Sequence, residues 1–358
     1  MKKNYLYGLF ATSMLLMTSC QQDNLVGDWQ DNGNLVSVKM SVSLPEMQNA
    51  TRAAAFGDGT TAKKLHYGVF EVYDVNKDGK IDRETERVYL RQISGFATFN
   101  NKLEADIVLK LMPKSTYDIA FWAASEKAPY VCTFEGATAS VDVNYQGVFS
   151  NNENNDAFFG TTTVTEVALD GGNTLVHNGG EPIKLYRPFA QLNIATSTED
   201  YEAASKAGFK VTETEVVIGG IYEVLDLWTG NVSMKDNGEA NPRVYQKADI
   251  PGAEYTFPIA SGQKYLSMNY LLMSKDKETL SKVTFKHYTA DGREKVREFG
   301  NIPAQRNWRT NIYGDLLTSD VQVKVAIAPL FADENGVDDD KDYNPDSNEW
   351  YDREQDKQ

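Results

Sequence analysis

The alternation of apolar and polar residues is strictest between residues 35 and 44. The apolar positions of this stretch are Val36, Val38, Met40, Val42 and Leu44. A period of two over ten residues predicts a half-buried strand, and Pro45 ends it. Burial of five such side chains contributes roughly 8–15 kcal/mol, which matches the net stability of a whole domain. Loss of this strand would therefore open an apolar groove that needs another strand.

A second alternating stretch lies near the carboxyl end. Its apolar positions are Val321, Val323, Val325 and Ile327, and Pro329 stops it. Because this pattern mirrors the first strand, the stretch is our candidate for a donor strand that fills such a groove in another chain. The alternative is that it completes the sheet of its own domain.

Short apolar runs separated by turn signals occupy the rest of the chain, which predicts an all-β protein of sandwich type. A length of 358 residues favours two domains. Clusters of Gly, Asn and Asp at 170–173 and 178–180 place the boundary there. We therefore predict two tandem antiparallel β-sandwich domains at 34–180 and 181–331. One continuous strand is expected over 183–194, and one short helix over 199–206.

The amino terminus has the pattern of an export signal. Lys2 and Lys3 precede an apolar core of 13 residues, 5–17, which is too short to span a bilayer. The sequence Met17-Thr18-Ser19-Cys20 resembles a bacterial lipobox, so residues 1–19 are the expected signal peptide and Cys20 the expected acylation site. The alternative is an ordinary signal peptide that is cut near Ser19.

Charge and cysteine content exclude several classes of function. The net charge of −15 argues against nucleic acid as a partner, because phosphate binding needs a basic surface. Much of that charge lies in residues 332–358, for which we predict an acidic, flexible tail. The second cysteine, Cys132, has the sequence context of a buried strand thiol rather than a nucleophile. The three histidines are far apart in sequence, so neither a histidine-based metal site nor an enzyme is expected.

One loop, residues 74–82, resembles a calcium-binding loop. Its spacing of acidic residues and glycine matches the start of an EF-hand loop, but Thr85 stands where the bidentate Glu is required. The alternative is a polar hairpin loop with Asp-Gly turn chemistry. The candidate calcium ligands are Asp74, Asn76, Asp78, Lys80 and Asp82.

Residues 51–59 follow the first strand and read as an exposed, flexible loop of small residues with one arginine, Arg52. With a lipobox upstream and a strand between, the order resembles the fimbrillins, the pilus subunits of Bacteroidales. Four further stretches resemble recurring fimbrillin pieces: 117–123 (YDIAFWA), 155–160 (NDAFFG), 187–194 (RPFAQLNI) and 305–314 (QRNWRTNIYG). In the last stretch, Arg306 and Arg309 are expected to be solvated or paired with the acidic surface.

The resemblance implies transthyretin-like sandwiches and a lipoprotein precursor of the outer membrane. It implies that an Arg-specific protease cuts between Arg52 and Ala53 and so removes the propeptide 20–52 with its first strand. A strand of another fimbrial subunit then fills the groove, and the protein becomes part of a surface fimbria. Such insertion is β-augmentation, in which backbone hydrogen bonds supply affinity.

Two other functions stay open at this point. One is a lipid-anchored surface binding protein that keeps its first strand and never polymerises. The other is an adhesin that depends on calcium bound in the loop 74–82.

Overall fold

The computed structural model describes residues 35–45, 56–165, 174–235, 242–318, 323–329, 341–344 and 349–352. In these residues β-strands are the predominant regular structure, which confirms the all-β prediction. One α-helix, α1 (Thr198–Lys206), lies where a short helix was expected. No helix in the described part is long and apolar enough to cross a membrane. The strands are β1 (Val36–Ser43), β2 (Lys64–Val72), β3 (Arg87–Tyr89), β4 (Gly95–Thr98), β5 (Glu104–Leu111), β6 (Thr116–Ala124), β7 (Tyr130–Glu135), β8 (Thr138–Val143), β9 (Ala157–Val164), β10 (Thr174–Val176), β11 (Ile183–Lys184), β12 (Phe189–Ser197), β13 (Val211–Ile218), β14 (Val224–Asp226), β15 (Val232–Ser233), β16 (Arg243–Asp249), β17 (Gln263–Leu272), β18 (Glu278–Thr289), β19 (Glu294–Ala304), β20 (Trp308–Tyr313), β21 (Lys324–Pro329), β22 (Lys341–Asn344) and β23 (Glu349–Asp352).

These strands form five sheets. In the first, β1 lies between β5 and the short strands β10 and β11. The others have the orders β3-β2-β6-β9 with β4 beside β2, β15-β14-β8-β7, β17-β12-β20-β21-β22-β23, and β16-β13-β18-β19. Most pairings are antiparallel, as predicted, but β1 pairs in parallel with β10 and β11, and β12 pairs in parallel with β20.

The burial of each strand follows its sequence pattern. In β5, buried apolar residues alternate with residues of the outer face, where Val108 is an exposed apolar side chain among polar ones. In β6, β12 and β17 the side chains are buried almost without interruption. A strand that is buried on both faces has packing layers on both sides. These three strands therefore form the interior of the molecule.

The predicted domain boundary at 180/181 is crossed by hydrogen bonds and by packing. Strand β8 pairs with β14, so one sheet contains residues from both sides of that boundary. One hydrophobic core cluster also runs from Phe56 through Trp122 to Tyr245 and Val325. The division into two domains remains a prediction. Within the predicted acidic tail, the structure has two four-residue strands, β22 and β23.

The continuous strand expected over 183–194 is wrong. The structure has β11 and β12 instead, separated by residues 185–188. Pro188 has no N–H for a ladder hydrogen bond. The side chain of Arg187 is fully buried in an ion pair and not on a sheet surface. Both features interrupt the pairing that apolar periodicity alone favours.

His287 is a fully buried histidine in the sheet formed by β13, β16, β18 and β19. Its ring stacks on Phe285 at 5.3 Å and meets the edge of Phe209 at 5.7 Å. Neither ring nitrogen has a hydrogen-bond partner among the described residues. Burial, together with the nearby charges of Lys295 and Arg297, lowers the pKa of His287 to about 4. The imidazole is therefore neutral in the folded protein.

We predict an acid-dependent loss of stability from this histidine. Below pH 6.5, His287 binds a proton in the unfolded chain but stays neutral in the folded chain, so a fall in pH favours unfolding. The free energy of unfolding should fall by up to about 3 kcal/mol between pH 6.5 and about 4. His287→Phe should flatten this part of the pH profile in urea unfolding experiments. Burial also lowers the pKa of half-buried His66, but by less, so His66→Gln should flatten the profile less, and an equal flattening there would contradict the assignment.

Candidate functional site

The first strand, β1, is hydrogen-bonded along both of its edges. It pairs antiparallel with β5 through eight register pairs, from Val36 opposite Leu111 to Ser43 opposite Glu104. Its other edge pairs in parallel with β10 over three residues and with β11 over two. An interior strand of this kind cannot leave without exposing two rows of backbone groups. We call the space that β1 fills between β5 and the strands β10 and β11 the slot.

The apolar face of β1 is buried, as the alternation predicted. Val36, Val38 and Val42 are completely inaccessible, and Lys39 on the opposite face is exposed. The four inward side chains of β1 and that of Leu44 are not members of the core cluster that contains Phe56 and Trp122. The side chains that fill the slot and those of that cluster therefore form separate groups. That β1 is removable remains a prediction.

One end of the slot is closed around Leu44, the residue after β1. Its N–H donates to the carbonyl of Leu103 at 3.0 Å. A Cβ at Gly59, where φ is +72°, would lie 3.2 Å from Phe158 Cζ and 3.8 Å from Leu44 Cδ1. Gly59 thus allows the backbone to pass close to both side chains, which no larger residue would. The chain therefore returns at 59 to the end of the slot that it left at residue 45.

Phe56 and Gly57 are docked into the protein, so the exposed loop expected over 51–59 is wrong for its second half. The ring of Phe56 stacks on Tyr255 at 4.1 Å with an interplanar angle of 4° and meets Tyr265 edge-on at 5.6 Å. The N–H of Gly57 donates to Glu153 Oε1 at 2.7 Å. Small residues predicted a loop, but an aromatic side chain and a buried carboxylate fix this segment.

A buried ion pair supports the same segment. Arg187 donates from Nε and Nη2 to the two carboxylate oxygens of Asp156, at 2.6 Å each, and both side chains are inaccessible to solvent. Nη2 also donates to the carbonyl of Gly57 at 2.9 Å. Burial and the charge of Asp156 raise the pKa of Glu153 well above its ordinary value. Two hydrogen bonds to its backbone thus attach Gly57 to Glu153 and to the buried pair of Arg187 and Asp156.

The two arginines of the stretch 305–314 also bind backbone carbonyls, which corrects the expectation that they are solvated or paired with surface acids. Arg309 donates from Nη2 to the carbonyl of Phe56 at 3.1 Å. Arg306 donates to the carbonyls of Met273 at 3.1 Å and Gly230 at 2.6 Å. Burial lowers the pKa of Arg306 to about 10. Both side chains link segments that are distant in sequence.

Several predicted residues lie outside the described part of the chain. These are the acylation site Cys20, the cleavage pair Arg52 and Ala53, and Val321 of the donor-strand candidate. The other residues of that candidate lie in β21 or directly before it, and β21 pairs antiparallel with β20 over six residues. Val325 and Ile327 are buried there, and Val323 is half-buried. In this structure the candidate donor strand thus completes its own sheet.

The loop 74–82 hydrogen-bonds largely to itself. Asp74 accepts from the N–H groups of Asp78 at 3.1 Å and Gly79 at 2.8 Å. Glu86, which is almost completely buried, accepts from Asn76 N–H at 3.0 Å and from Asp82 N–H at 2.7 Å. In the sequence Glu86 was only a neighbour of the required position. The calcium site at Asp74, Asn76, Asp78, Lys80 and Asp82 remains a prediction.

The cysteine that the structure describes is not a reactive one. Burial raises the pKa of the Cys132 thiol in β7 to about 12, so the reactive thiolate does not form at neutral pH. Within the described ranges, no group of three or more His, Cys, Asp or Glu side chains is placed to hold a metal ion. The feature that stands out as a functional site is therefore the slot with its closed end.

A protein-family model described as "Family of unknown function (DUF6562)" matches residues 30–354. The chain belongs to this family. No curated protein matches it.

Solved structures similar to this chain include fimbrial proteins and candidate adhesins of the Bacteroidales, in agreement with the resemblance seen in the sequence. One is a candidate cell adhesion protein from Parabacteroides distasonis, with 11% identity, a TM-score of 0.45 and coverage of 83% of this chain and 97% of that one. Another is the tip fimbrial protein Mfa3 from Porphyromonas gingivalis, with 14% identity, a TM-score of 0.42 and coverage of 82% and 99%. A fimbrial assembly protein from Parabacteroides distasonis has 14% identity, a TM-score of 0.35 and coverage of 82% and 96%.

We predict that the body of the protein depends on the pair of Arg187 and Asp156. Asp156→Ala leaves a buried guanidinium without its carboxylate, and breaking such a pair typically costs about 3–5 kcal/mol. The measurement is the free energy of unfolding in urea. Glu126→Ala removes the partner of Lys64 in an exposed ion pair and should leave stability nearly unchanged. Equal effects of the two substitutions would show that the buried pair is not required.

Proposed function

We propose that this chain is a non-enzymatic subunit of a cell-surface fimbria. It is exported as a lipoprotein that is acylated at Cys20, and an Arg-specific protease cuts it between Arg52 and Ala53. The cut releases β1, and a strand of another fimbrial subunit fills the slot. The location proposed is the outer membrane for the precursor and the fimbria for the processed protein.

The observation that carries this proposal is the separate anchoring of the chain on the two sides of the predicted cut. Before it, the apolar side chains of β1 are buried in the slot and are not members of the core cluster. After it, Phe56 belongs to that cluster, and Arg309, Arg187 and Glu153 bind the backbone at 56 and 57. A cut between residues 45 and 56 therefore separates a strand from a body that has its own core.

The pairing of β21 bears on the place of the subunit in a fibre. A shaft subunit must give a strand as well as accept one. Here β21 is hydrogen-bonded to β20 over its whole length, and Val325, Ala326 and Ile327 are buried. This arrangement favours a subunit at the end of a fibre, which accepts a strand and gives none. Donation of the stretch from Val321 to Ile327 would require β21 to leave β20.

Processing is tested by mass spectrometry of the mature protein recovered from the cell surface. We expect the mature chain to begin at Ala53, and Arg52→Ala to keep residues 20–52 attached. The control is Arg91→Ala, at an exposed arginine of the same precursor, which should be processed normally. A mature protein that begins at an acylated Cys20 and retains β1 would contradict the proposal and support a lipid-anchored, non-polymerising binding protein.

Strand replacement is tested with peptides. The full chain is cut at one engineered protease site in residues 51–54, and a labelled peptide of residues 35–45 is added in excess. We expect the peptide to replace β1, because the slot binds its apolar face and both of its edges. A peptide with Val38→Asp and Val42→Asp is the matched control and should not bind, since its charges would face the buried side. A cut protein that takes up neither peptide would contradict the proposed strand replacement.

A further inference from the structure

The two walls of the slot are built differently. Strand β5 forms one wall with eight register pairs to β1 and with four buried apolar side chains, Ala105, Ile107, Leu109 and Leu111. Residues 174–185 form the other wall, and we call them the strap. The strap has three register pairs to β1 in β10 and two in β11. Within this sheet, β10 and β11 each pair with β1.

The strap is also interrupted at its middle. Asn178, Gly179 and Gly180 have φ values of +54°, +62° and +93°, which turn the backbone out of the ladder between β10 and β11. Most residues between 174 and 182 are exposed, and the buried apolar residues of the strap, Ile183 and Leu185, lie at its carboxyl end, where the Leu185 N–H donates to the carbonyl of Ser43 at 2.9 Å. Separation of the strap from β1 thus removes less pairing and less buried apolar surface than separation of β5.

The carboxyl end of the strap is firmly held. Tyr186 and Phe159 exchange two backbone hydrogen bonds, at 2.8 and 2.9 Å, and Arg187 follows with its buried ion pair. In the middle, His177 Nε2 contacts Thr162 Oγ1 at 2.8 Å. A segment with a fixed carboxyl end and a glycine pair between two short ladders can swing away from β1 while that end stays in place.

Because β1 is an interior strand, a replacement must form hydrogen bonds on both edges, and one wall has to open before a strand can enter sideways. We propose that the strap opens to admit or release a strand and then closes on whichever strand occupies the slot. This inference rests on the strand replacement proposed above and adds the element that controls its rate. If a wall opens, a substitution in it changes the rates of both strand entry and strand exit. A substitution in a wall that stays closed changes the exit rate alone.

The test measures both rates by fluorescence anisotropy, with the cut full chain and the labelled peptide of residues 35–45. Gly179→Ala strains the closed strap through its positive φ, and its new Cβ meets nothing within 4 Å. It should raise both the entry and the exit rate by about fivefold. Gly136→Ala is the matched control, since Gly136 has φ +58° and equal space in the turn between β7 and β8. It should change neither rate. Ile107→Val in β5 should raise the exit rate and leave entry unchanged.

Hydrogen exchange of the unsubstituted protein supplies a second measurement. With β1 in place, amides of the strap should exchange faster than those of β5, because the strap opens more often. Two results would contradict the opening of the strap while leaving strand replacement in place. One is an unchanged entry rate in the Gly179→Ala protein, and the other is equal protection of the strap and β5 amides from exchange. Failure of the unsubstituted protein to take up any peptide would instead overturn the strand replacement and the strap with it.

Discussion

The structure depends on one constraint, the position of β1 inside a sheet. An interior strand satisfies its backbone groups on both edges, and here those partners are β5 on one side and β10 with β11 on the other. Its inward side chains also lie beside the buried residues of β5 on the same face of the sheet. Without a strand at this place, two unpaired backbone rows and an apolar trough would face water. The protein is therefore complete only when the slot is filled, by β1 or by a strand that replaces it.

The side chains that fill the slot are separate from the main core cluster of the protein. Phe56 starts the body of the protein by joining a core cluster that excludes the side chains of β1. The charges beneath it are tolerated because each is paired or hydrogen-bonded, as in the bidentate contact of Arg187 with Asp156. These contacts anchor the chain just after the predicted cut. None of these contacts involves a residue of β1.

Local sequence patterns correctly predicted the elements whose buried face follows from the spacing of their apolar residues. The ten-residue alternation located β1, and the stretch that ends at Lys206 became the expected helix, with Ser197 as its N-cap. The same patterns failed where a distant partner decides the structure. Arg309 looked like a surface residue, but its partner Phe56 is 253 positions away. Glu86 carried no role in the sequence pattern, yet it closes the loop 74–82 by accepting from two backbone N–H groups.

The sequence by itself determined the class of fold, the existence of an alternating first strand and the position of the short helix. These follow from side-chain alternation and residue spacing, which are properties of a few neighbouring positions. Only the tertiary structure decided that β1 is an interior strand, that Phe56 is buried and that β21 is paired within its own sheet. The physical reason is that hydrogen-bond partners and the burial of charge depend on segments brought together from far along the chain, and no local pattern records which segments those are.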